Sequence, residues 1–443
     1  MICLSSHFLI RKIWHDFHNN DVMKYLTYLL LSCMLSLVCF SIACAQNKEL
    51  STNNKVYEPT IRTVQLYPTG NSVNSRINPP VTTTGRANSL TLSFDDLRED
   101  ADYYYVYFLH CNADWQPSNL SSALFLNKYN EFEITEFDFS VESKLQYVHY
   151  DIRLPPFKYS GNYLAVVYRN QDKEDIILSR RFYVVDEKVN VGAAIMRSSQ
   201  TANRLSHQRV EAQLSYANLS VNDPGQQFFV KVVQNQRPDK TRVLSPTFID
   251  DNNRSMRYQN LGDENEFEGG NEFRFFDLSR INMAGRNIAQ TSYDGQKVKA
   301  TLNLDRPFRE AYLQQLDING QFYIKDNESQ LGDIAAEYVN VQFQLEAPQY
   351  QEDVFVVGAF NNWEKSEENK MRYNLEQGKY TASVLMKQGL YNYKFETKTN
   401  SSLISKSFFD TENLYEVFVY YTALGSRGDE LVGYFKTNFN ARR

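Results

Sequence analysis

Short runs in which apolar and polar residues alternate recur along the chain from about residue 89 onward. An alternation of period two places the apolar side chains on one face of an extended strand, and the runs are bounded by Gly, Pro, Asn and Asp, which favour turns. The pattern therefore predicts an all-β protein. The predicted strands lie at 89–94, 102–111, 147–154, 162–169, 176–185, 210–216, 228–234 and 414–421.

The predicted strands fall into three blocks, each long enough for one immunoglobulin-like β-sandwich. The blocks are residues 46–187, 188–340 and 341–443, so we expect three sandwiches in series. The first block begins with a lead rich in Ser, Thr, Asn and Pro, residues 46–85, which predicts an extended arm or loop.

Composition agrees with this interpretation and limits the partners. The chain has 443 residues, of which 14% are aromatic, with 30 Tyr and 29 Phe. Tyr and Phe favour strands, and the length exceeds that of one ordinary sandwich. The net charge is −6, and no block of Lys and Arg follows residue 50, which argues against a nucleic-acid partner.

The N-terminal segment, residues 1–45, predicts a signal peptide. Met23 and Lys24 begin a short positive region, an apolar run follows, and an A-x-A cleavage site ends at Ala45. Cleavage there makes Gln46 the first mature residue. Residues upstream of Met23 are interpreted as an extension before the true start.

Cysteine usage indicates the compartment and leaves one alternative open. Four of the five cysteines lie in or before the signal peptide, and only Cys111 follows it, so no disulfide can form within the mature chain. A disulfide-free exported sandwich protein suits a Gram-negative periplasm. In the alternative interpretation, Cys44 ends a loose lipobox and carries a lipid.

A search for catalytic chemistry finds no motif. His110 and Cys111 are adjacent, and neighbouring residues of a strand point to opposite faces, so they cannot form a nucleophile–base pair without a bulge. Asp95 and Asp96 follow a predicted strand and are interpreted as a turn or cap. The acidic loop 262–270 lacks the spacing of a calcium site and is interpreted as a solvated charge run. We expect no enzyme activity, no cofactor and no metal.

Residues 354–396 resemble the glycogen- and starch-binding E-set module. The resemblance rests on the Gly-Ala-Phe-Asn-Asn-Trp turn at 358–363 and the Tyr-Asn-Tyr-Lys-Phe strand at 391–395. It implies that Trp363 and Lys394 match one tryptophan and the lysine of the sugar site. No aromatic residue stands at 396–400 for the second tryptophan, so we expect a vestigial glycan site and a structural role for Trp363.

A wider set of motifs resembles the type IX secretion system plug protein. The resemblance implies a non-enzymatic subunit in the periplasm, associated with the outer membrane, which binds the periplasmic mouth of the giant β-barrel translocon and takes no small-molecule substrate. A glycan-binding periplasmic or surface protein is the alternative. The motifs are SFDDL (93–97), HCNADWQPS (110–118), YVHY (147–150), SGNY (160–163), RRF (180–182), QNQR (234–237), NEFRFFD (271–277), TENLY (411–415) and VYY (419–421).

Overall fold

The computed structural model describes residues 48–70, 72–308, 311–315, 317–399 and 403–441. Within it, the chain from Leu50 onward forms one compact unit. The predicted signal peptide, the lipidation alternative at Cys44 and the new terminus at Gln46 lie outside the described residues. No helix in the described part of the chain has the length and apolar character needed to span a membrane.

Strands make up most of the regular structure, with a few short helices. The first ten strands are β1 Lys55–Val56, β2 Ile61–Pro68, β3 Val81–Thr83, β4 Leu90–Asp96, β5 Tyr104–Cys111, β6 Phe132–Glu133, β7 Glu136–Phe139, β8 Val148–Arg153, β9 Gly161–Arg169 and β10 Asp172–Val185. The next eleven are β11 Asn190–Arg197, β12 His207–Ser215, β13 Phe228–Gln234, β14 Thr241–Leu244, β15 Phe248–Asp250, β16 Ser255–Tyr258, β17 Glu266–Glu268, β18 Arg274–Asp277, β19 Ile288–Tyr293, β20 Val298–Leu302 and β21 Phe322–Ile324. The last seven are β22 Tyr338–Glu346, β23 Val354–Val357, β24 Lys370–Asn374, β25 Lys379–Lys387, β26 Gly389–Thr397, β27 Asn413–Tyr421 and β28 Glu430–Phe439. The helices are α1 Val73–Ile77, α2 Ser122–Phe125 and α3 Pro224–Gln227, with 3₁₀ turns at Thr201–Asn203, Gly332–Ile334 and Ala359–Asn361.

The first sandwich contains β1 to β10 in two sheets. One sheet has the order β1-β10-β9-β5-β6, with β3 parallel to β10, and the other has the order β2-β4-β8-β7. Apolar side chains from both sheets, among them Phe94, Phe108 and Phe182, pack in one core. The two sheets thus pack face to face over one core, as period-two strands favour.

The middle sandwich is built from two distant parts of the chain. Its first sheet has the order β11-β12-β16-β15, and its second has the order β14-β13-β27-β28. Val230 of β13 pairs with Val419 of β27, and both lie in the core that the two sheets share. The C-terminal strands therefore complete a sandwich that begins near residue 190.

The segment 274–404, which we call the insert, lies between those two parts. Its sheet has the order β18-β26-β23-β24-β25-β22-β20-β19. Residues from both ends of this order, such as Phe276 of β18 and Ile288 of β19, belong to one core, so the sheet folds back on itself. The insert leaves and rejoins the middle sandwich at one place, because the Phe408 amide donates to the Gly270 carbonyl oxygen at 2.8 Å.

The all-β fold predicted from the alternation is confirmed. The division into blocks at 187 and 340 stays a prediction, and the strand pairing crosses residue 340 in both directions: β18 to β21 pair within the insert, while β27 and β28 pair with β13. The lead 46–85 was predicted as an arm or loop, which is wrong, because β2 is an eight-residue strand of the first sandwich.

One local interpretation is wrong, and a second holds only in part. Asp95 and Asp96 do not form a turn but end the fully buried strand β4. In the acidic loop, Asp263, Glu264 and Glu268 are exposed, as expected of a solvated charge run, but Glu266 is not. It lies buried in β17 and accepts a hydrogen bond from the Ser198 hydroxyl, which compensates for the loss of water.

Candidate functional site

The Gly-Ala-Phe-Asn-Asn-Trp turn is held by the side chain of Asn361. Its Oδ1 accepts a hydrogen bond from the Gly358 amide at 3.0 Å, and its Nδ2 donates to the Val356 carbonyl at 2.9 Å. The backbone then passes through two consecutive left-handed residues, Asn362 at φ +55° and Trp363 at φ +63°. Asn tolerates this conformation, whereas a bulky residue rarely adopts it, so the surrounding contacts must fix the tryptophan.

The Trp363 ring is held between two side chains and the backbone of a third segment. The Arg237 guanidinium lies 4.3 Å from the ring centroid, within cation–π distance. The Phe273 ring is 5.7 Å away in a tilted arrangement. A Cβ at Gly320 would come within 2.6 Å of the Trp363 ring, so the backbone there also contacts it. A sugar that stacked on the arginine-covered face would have to displace Arg237.

Lys394 is close to the same aromatic cluster. Its Nζ lies 3.9 Å from the centroid of the Phe273 ring, the ring that also contacts Trp363. Burial, together with repulsion from Arg237, lowers the pKa of Lys394 to about 8, although Glu396 and Asp317 act in the opposite direction. The structure thus brings both predicted site residues to Phe273. Their role in glycan binding stays a prediction.

The segment 396–400, where the E-set resemblance implies a second tryptophan, begins with Glu396, which forms ion pairs. Glu396, in β26, accepts a hydrogen bond from Arg237 Nη1 at 2.8 Å and lies 3.2 Å from Lys365 Nζ. Burial alone would raise the pKa of Glu396, but Arg237 and Lys365 lower it to about 2. Arg237 also pairs with Asp239 at 2.7 Å. At this position the chain therefore has a cluster of ion pairs between the middle sandwich and the insert, where a sugar site would have an aromatic ring.

A second polar cluster, which we call the Asp95 network, joins the first sandwich to the insert. Asp95 is fully buried in β4. Its Oδ1 lies 2.5 Å from His149 Nδ1, and its Oδ2 accepts hydrogen bonds from the Tyr338 hydroxyl at 2.6 Å and from Lys387 Nζ at 2.7 Å. Lys387 Nζ also lies 4.1 Å from the ring centroid of Tyr147.

The opposite charges in the Asp95 network stabilise each other's ionised forms. Burial alone would raise the pKa of Asp95, but Lys387 and His149 lower it to about 2. Burial alone would lower the pKa of His149, but Asp95 and Asp151 raise it to about 9. Both groups are therefore charged at neutral pH, and each buried charge has a partner. Sequence reasoning missed this network, although the Asp-Asp pair within an apolar strand was a signal for it.

The adjacent residues His110 and Cys111 do not act on each other. His110 Nδ1 lies 2.7 Å from the Ser118 hydroxyl, and its Nε2 lies 3.1 Å from the Ser160 carbonyl oxygen. Burial lowers the pKa of His110 and raises that of the Cys111 thiol to about 12. A thiol that stays protonated is a poor nucleophile. Among the described residues, no group of three His, Cys, Asp or Glu is placed to hold a metal ion.

The part of the chain that contains β2 to β10 and Asp95 matches the model of a known family. Residues 61–186 match the family model described as Type 9 secretion system plug protein 1st domain. The motifs SFDDL, HCNADWQPS, YVHY, SGNY and RRF all lie within the matched plug-protein residues. That family is a component of a secretion system and not a known enzyme family, and the match indicates a role in type IX secretion and a location in the cell envelope.

A solved structure is similar over most of the chain. It is a hypothetical protein from Parabacteroides merdae ATCC 43184, 27% identical, covering 88% of this chain and 100% of that chain with a TM-score of 0.81. An enterococcal surface protein, partial N-terminal region, is 6% identical over 88% of this chain and 97% of that chain, with a TM-score of 0.17. No curated protein matches. The E-set resemblance of residues 354–396 stays a prediction.

Proposed function

We propose that the protein is a non-enzymatic plug that occupies the periplasmic mouth of the outer-membrane β-barrel translocon of type IX secretion. The observation that carries this proposal is the match of residues 61–186 to the plug-protein first domain. A barrel wide enough for folded cargo would leak solutes when idle, so a gate is physically required. A subunit of that family with no catalytic motif fits such a gate.

The contacts between the parts of the molecule support a rigid stopper. Lys387 of the insert pairs with Asp95 of the first sandwich, and Arg237 next to β13 pairs with Glu396 of the insert. The Tyr420 hydroxyl of the middle sandwich donates to Asn162 Oδ1 of the first at 2.7 Å. Each part is therefore tied to the other two by buried polar contacts, which resist relative movement.

Affinity purification from outer membranes tests the proposal. A tagged copy, expressed in the native host and extracted in mild detergent, should co-purify with a large β-barrel protein when secretion is idle. The barrel should be released when cargo is trapped in the translocon, because the plug and the cargo occupy the same mouth. Recovery without any barrel in both states would refute the proposal.

A deletion strain gives an independent readout. Loss of the plug should raise outer-membrane permeability to large antibiotics while secretion continues in part, and expression of the gene from a plasmid should restore the barrier. A strain with poor secretion and unchanged permeability would instead indicate a role in assembly of the translocon.

A further inference from the structure

Two adjoining cavities form a groove where the first sandwich, the middle sandwich and the insert meet. Their volumes are about 460 Å³ and about 260 Å³. We call the larger one the cationic lobe and the smaller one the aromatic lobe. They are continuous because they share the lining residues Asn54, Pro80, Arg181, Gln236 and Pro238.

Arg180 of β10 lines the cationic lobe, and among the described residues no carboxylate forms an ion pair with it. Its side chain is buried, with the residue 6% exposed, and its Nη2 donates to the Val64 carbonyl oxygen at 3.1 Å. Its Nη1 is buried without a hydrogen-bond partner. Burial lowers the pKa of Arg180 to about 10, opposed only by the more distant Glu364. A buried guanidinium nitrogen with no acceptor is costly unless a ligand supplies one.

Most other cationic side chains of the cationic lobe have carboxylate partners. Arg76 pairs with Asp333, Arg237 with Asp239 and Glu396, and Lys365 with Glu396. Arg181 resembles Arg180: among the ion pairs of the described residues it has no carboxylate partner. Its Nε donates to the Thr52 carbonyl oxygen at 2.6 Å, and its guanidinium lies 4.1 Å from the Trp115 ring. The groove thus holds two consecutive arginines without carboxylates in a protein whose net charge is negative.

The aromatic lobe has a different chemistry. Its walls include Trp115, Tyr183, Phe418 and Tyr420. The rings of Tyr183 and Phe418 are stacked at 4.3 Å, and the Trp115 ring meets Tyr183 edge-on at 5.4 Å. Burial also raises the pKa of Glu416, at the same lobe, to about 7. This lobe therefore offers an aromatic surface beside the two arginines.

We propose that the groove binds an extended peptide segment in which a carboxylate side chain neighbours an aromatic one, with Arg180 holding the carboxylate and the aromatic lobe, beside Arg181, holding the ring. Arginine matches the planar geometry of a carboxylate, and its hydrogen bonds to charged groups are among the strongest in proteins. The elongated two-lobed shape fits a peptide better than an isolated small anion. The proposal does not depend on the plug role.

Fluorescence polarisation with labelled hexapeptide pools tests the proposal. In one pool the central pair is Phe-Asp, in a second Phe-Asn and in a third Ala-Asp, and all other positions are randomised over uncharged residues. The full mature protein should bind the Phe-Asp pool at least about tenfold more tightly than either of the others, the scale of losing one charged hydrogen bond or one aromatic contact. Equal binding of the Phe-Asp and Phe-Asn pools would refute the proposal.

Variants assign the contact to individual residues. Arg180→Gln should lose the preference for Asp, whereas Arg372→Gln, at an exposed position of β24, should keep it. Glu364→Gln should strengthen binding, because Glu364 is the carboxylate that competes for Arg180. If Glu364→Gln weakens binding, or if inorganic phosphate binds while all three pools do not, the groove is not a peptide site.

Thermal unfolding separates a binding arginine from a structural one. Arg180→Gln should leave the midpoint unchanged or raise it, because the free protein no longer buries a guanidinium without a charged partner. A fall of several degrees, with the Asp preference of Arg180→Gln unchanged, would show that Arg180 supports the fold instead.

Discussion

At Trp363 a bulky side chain occupies a left-handed backbone conformation, which costs free energy that its contacts must offset. Asn361 fixes the turn, and the ring lies between Arg237 and Phe273. Since Arg237 is itself paired with Glu396, the tryptophan, the arginine and the carboxylate form one cluster between the middle sandwich and the insert. A residue that resembles a sugar platform in sequence thus contributes to packing between two parts of the fold.

We therefore expect Trp363→Ala to lower stability more than it changes any binding to carbohydrate. The ring is partly exposed, so the cost should lie near or below the lower end of the roughly 3–5 kcal/mol typical of a fully buried aromatic residue. The thermal midpoint should fall by several degrees. Calorimetry measures the midpoint, and retention on insoluble starch measures binding.

Trp363→Phe is the matched control, since it keeps an aromatic ring for Arg237 and should recover most of the midpoint. The glycan alternative would gain support from the opposite result, in which Trp363→Ala keeps its midpoint and the wild-type protein alone is retained on starch.

At the level of elements, the Asp95 network connects strands from separate sheets. Asp95 of β4 is the register partner of His149 of β8, and Lys387 and Tyr338 belong to β25 and β22 of the insert. Cross-strand pairs of opposite charge stabilise a sheet. Here the pair also reaches a third element, so the network fixes the position of the insert against the first sandwich.

This network predicts a specific dependence of stability on pH. The pKa of His149 is about 9 in the folded protein and about 6.5 in an unfolded chain. Its contribution is therefore fully present below pH 6.5 and is lost as the pH rises through 9. Urea unfolding of the wild type and of His149→Gln should show a difference in free energy of unfolding that shrinks by roughly 2–3 kcal/mol between pH 6 and pH 9.5.

Taking the difference between the two proteins removes the contribution of other groups that titrate in this range. Asp95 stays ionised throughout, because its pKa of about 2 lies well below it. A difference that is the same at pH 6 and pH 9.5 would show that His149 is neutral in the folded protein and that Lys387 alone balances Asp95.

Local alternation was sufficient to predict several strands, such as β5, β9 and β13, but not their partners. The predicted strand 228–234 coincides with β13, since a run of apolar residues between turn signals is a local property. Its neighbour β27 lies far away in sequence, and no local pattern indicates that pairing.

The same limit explains which residues of the candidate site could be predicted from the sequence. Trp363 and Lys394 could be named from a motif, whereas the buried state of Asp95 depends on Lys387, which approaches only in the folded chain.

On the scale of the whole molecule, the middle sandwich depends on the chain after the insert. β27 is fully buried and lies between β13 and β28, so these C-terminal strands supply half of one sheet. The insert, in contrast, begins and ends near the hydrogen bond between Phe408 and Gly270. Segments whose ends lie together are the ones that a fold tolerates losing.

Two deletions should therefore have opposite effects. Removing residues 413–443 should leave the middle sandwich unfolded, because it exposes the core formed by residues such as Val230 and Val232. Replacing the much longer segment 274–404 by a short Gly-Ser linker should leave the two sandwiches folded. Limited proteolysis with mass spectrometry identifies the protected fragments. Protection of residues 190–258 in the shorter deletion would show that β27 and β28 are dispensable.

The nested connectivity also sets an order of folding. Before Val230 can pair with Val419, the chain between them must close a long loop, and the entropy cost of closure rises with the logarithm of loop length. Once the insert has folded, its ends are held together, and the effective loop becomes several times shorter, which recovers roughly 1 kcal/mol. Prior folding of the insert should therefore accelerate closure of the middle sheet, and we expect a mutation that destabilises only the insert to slow the folding of both.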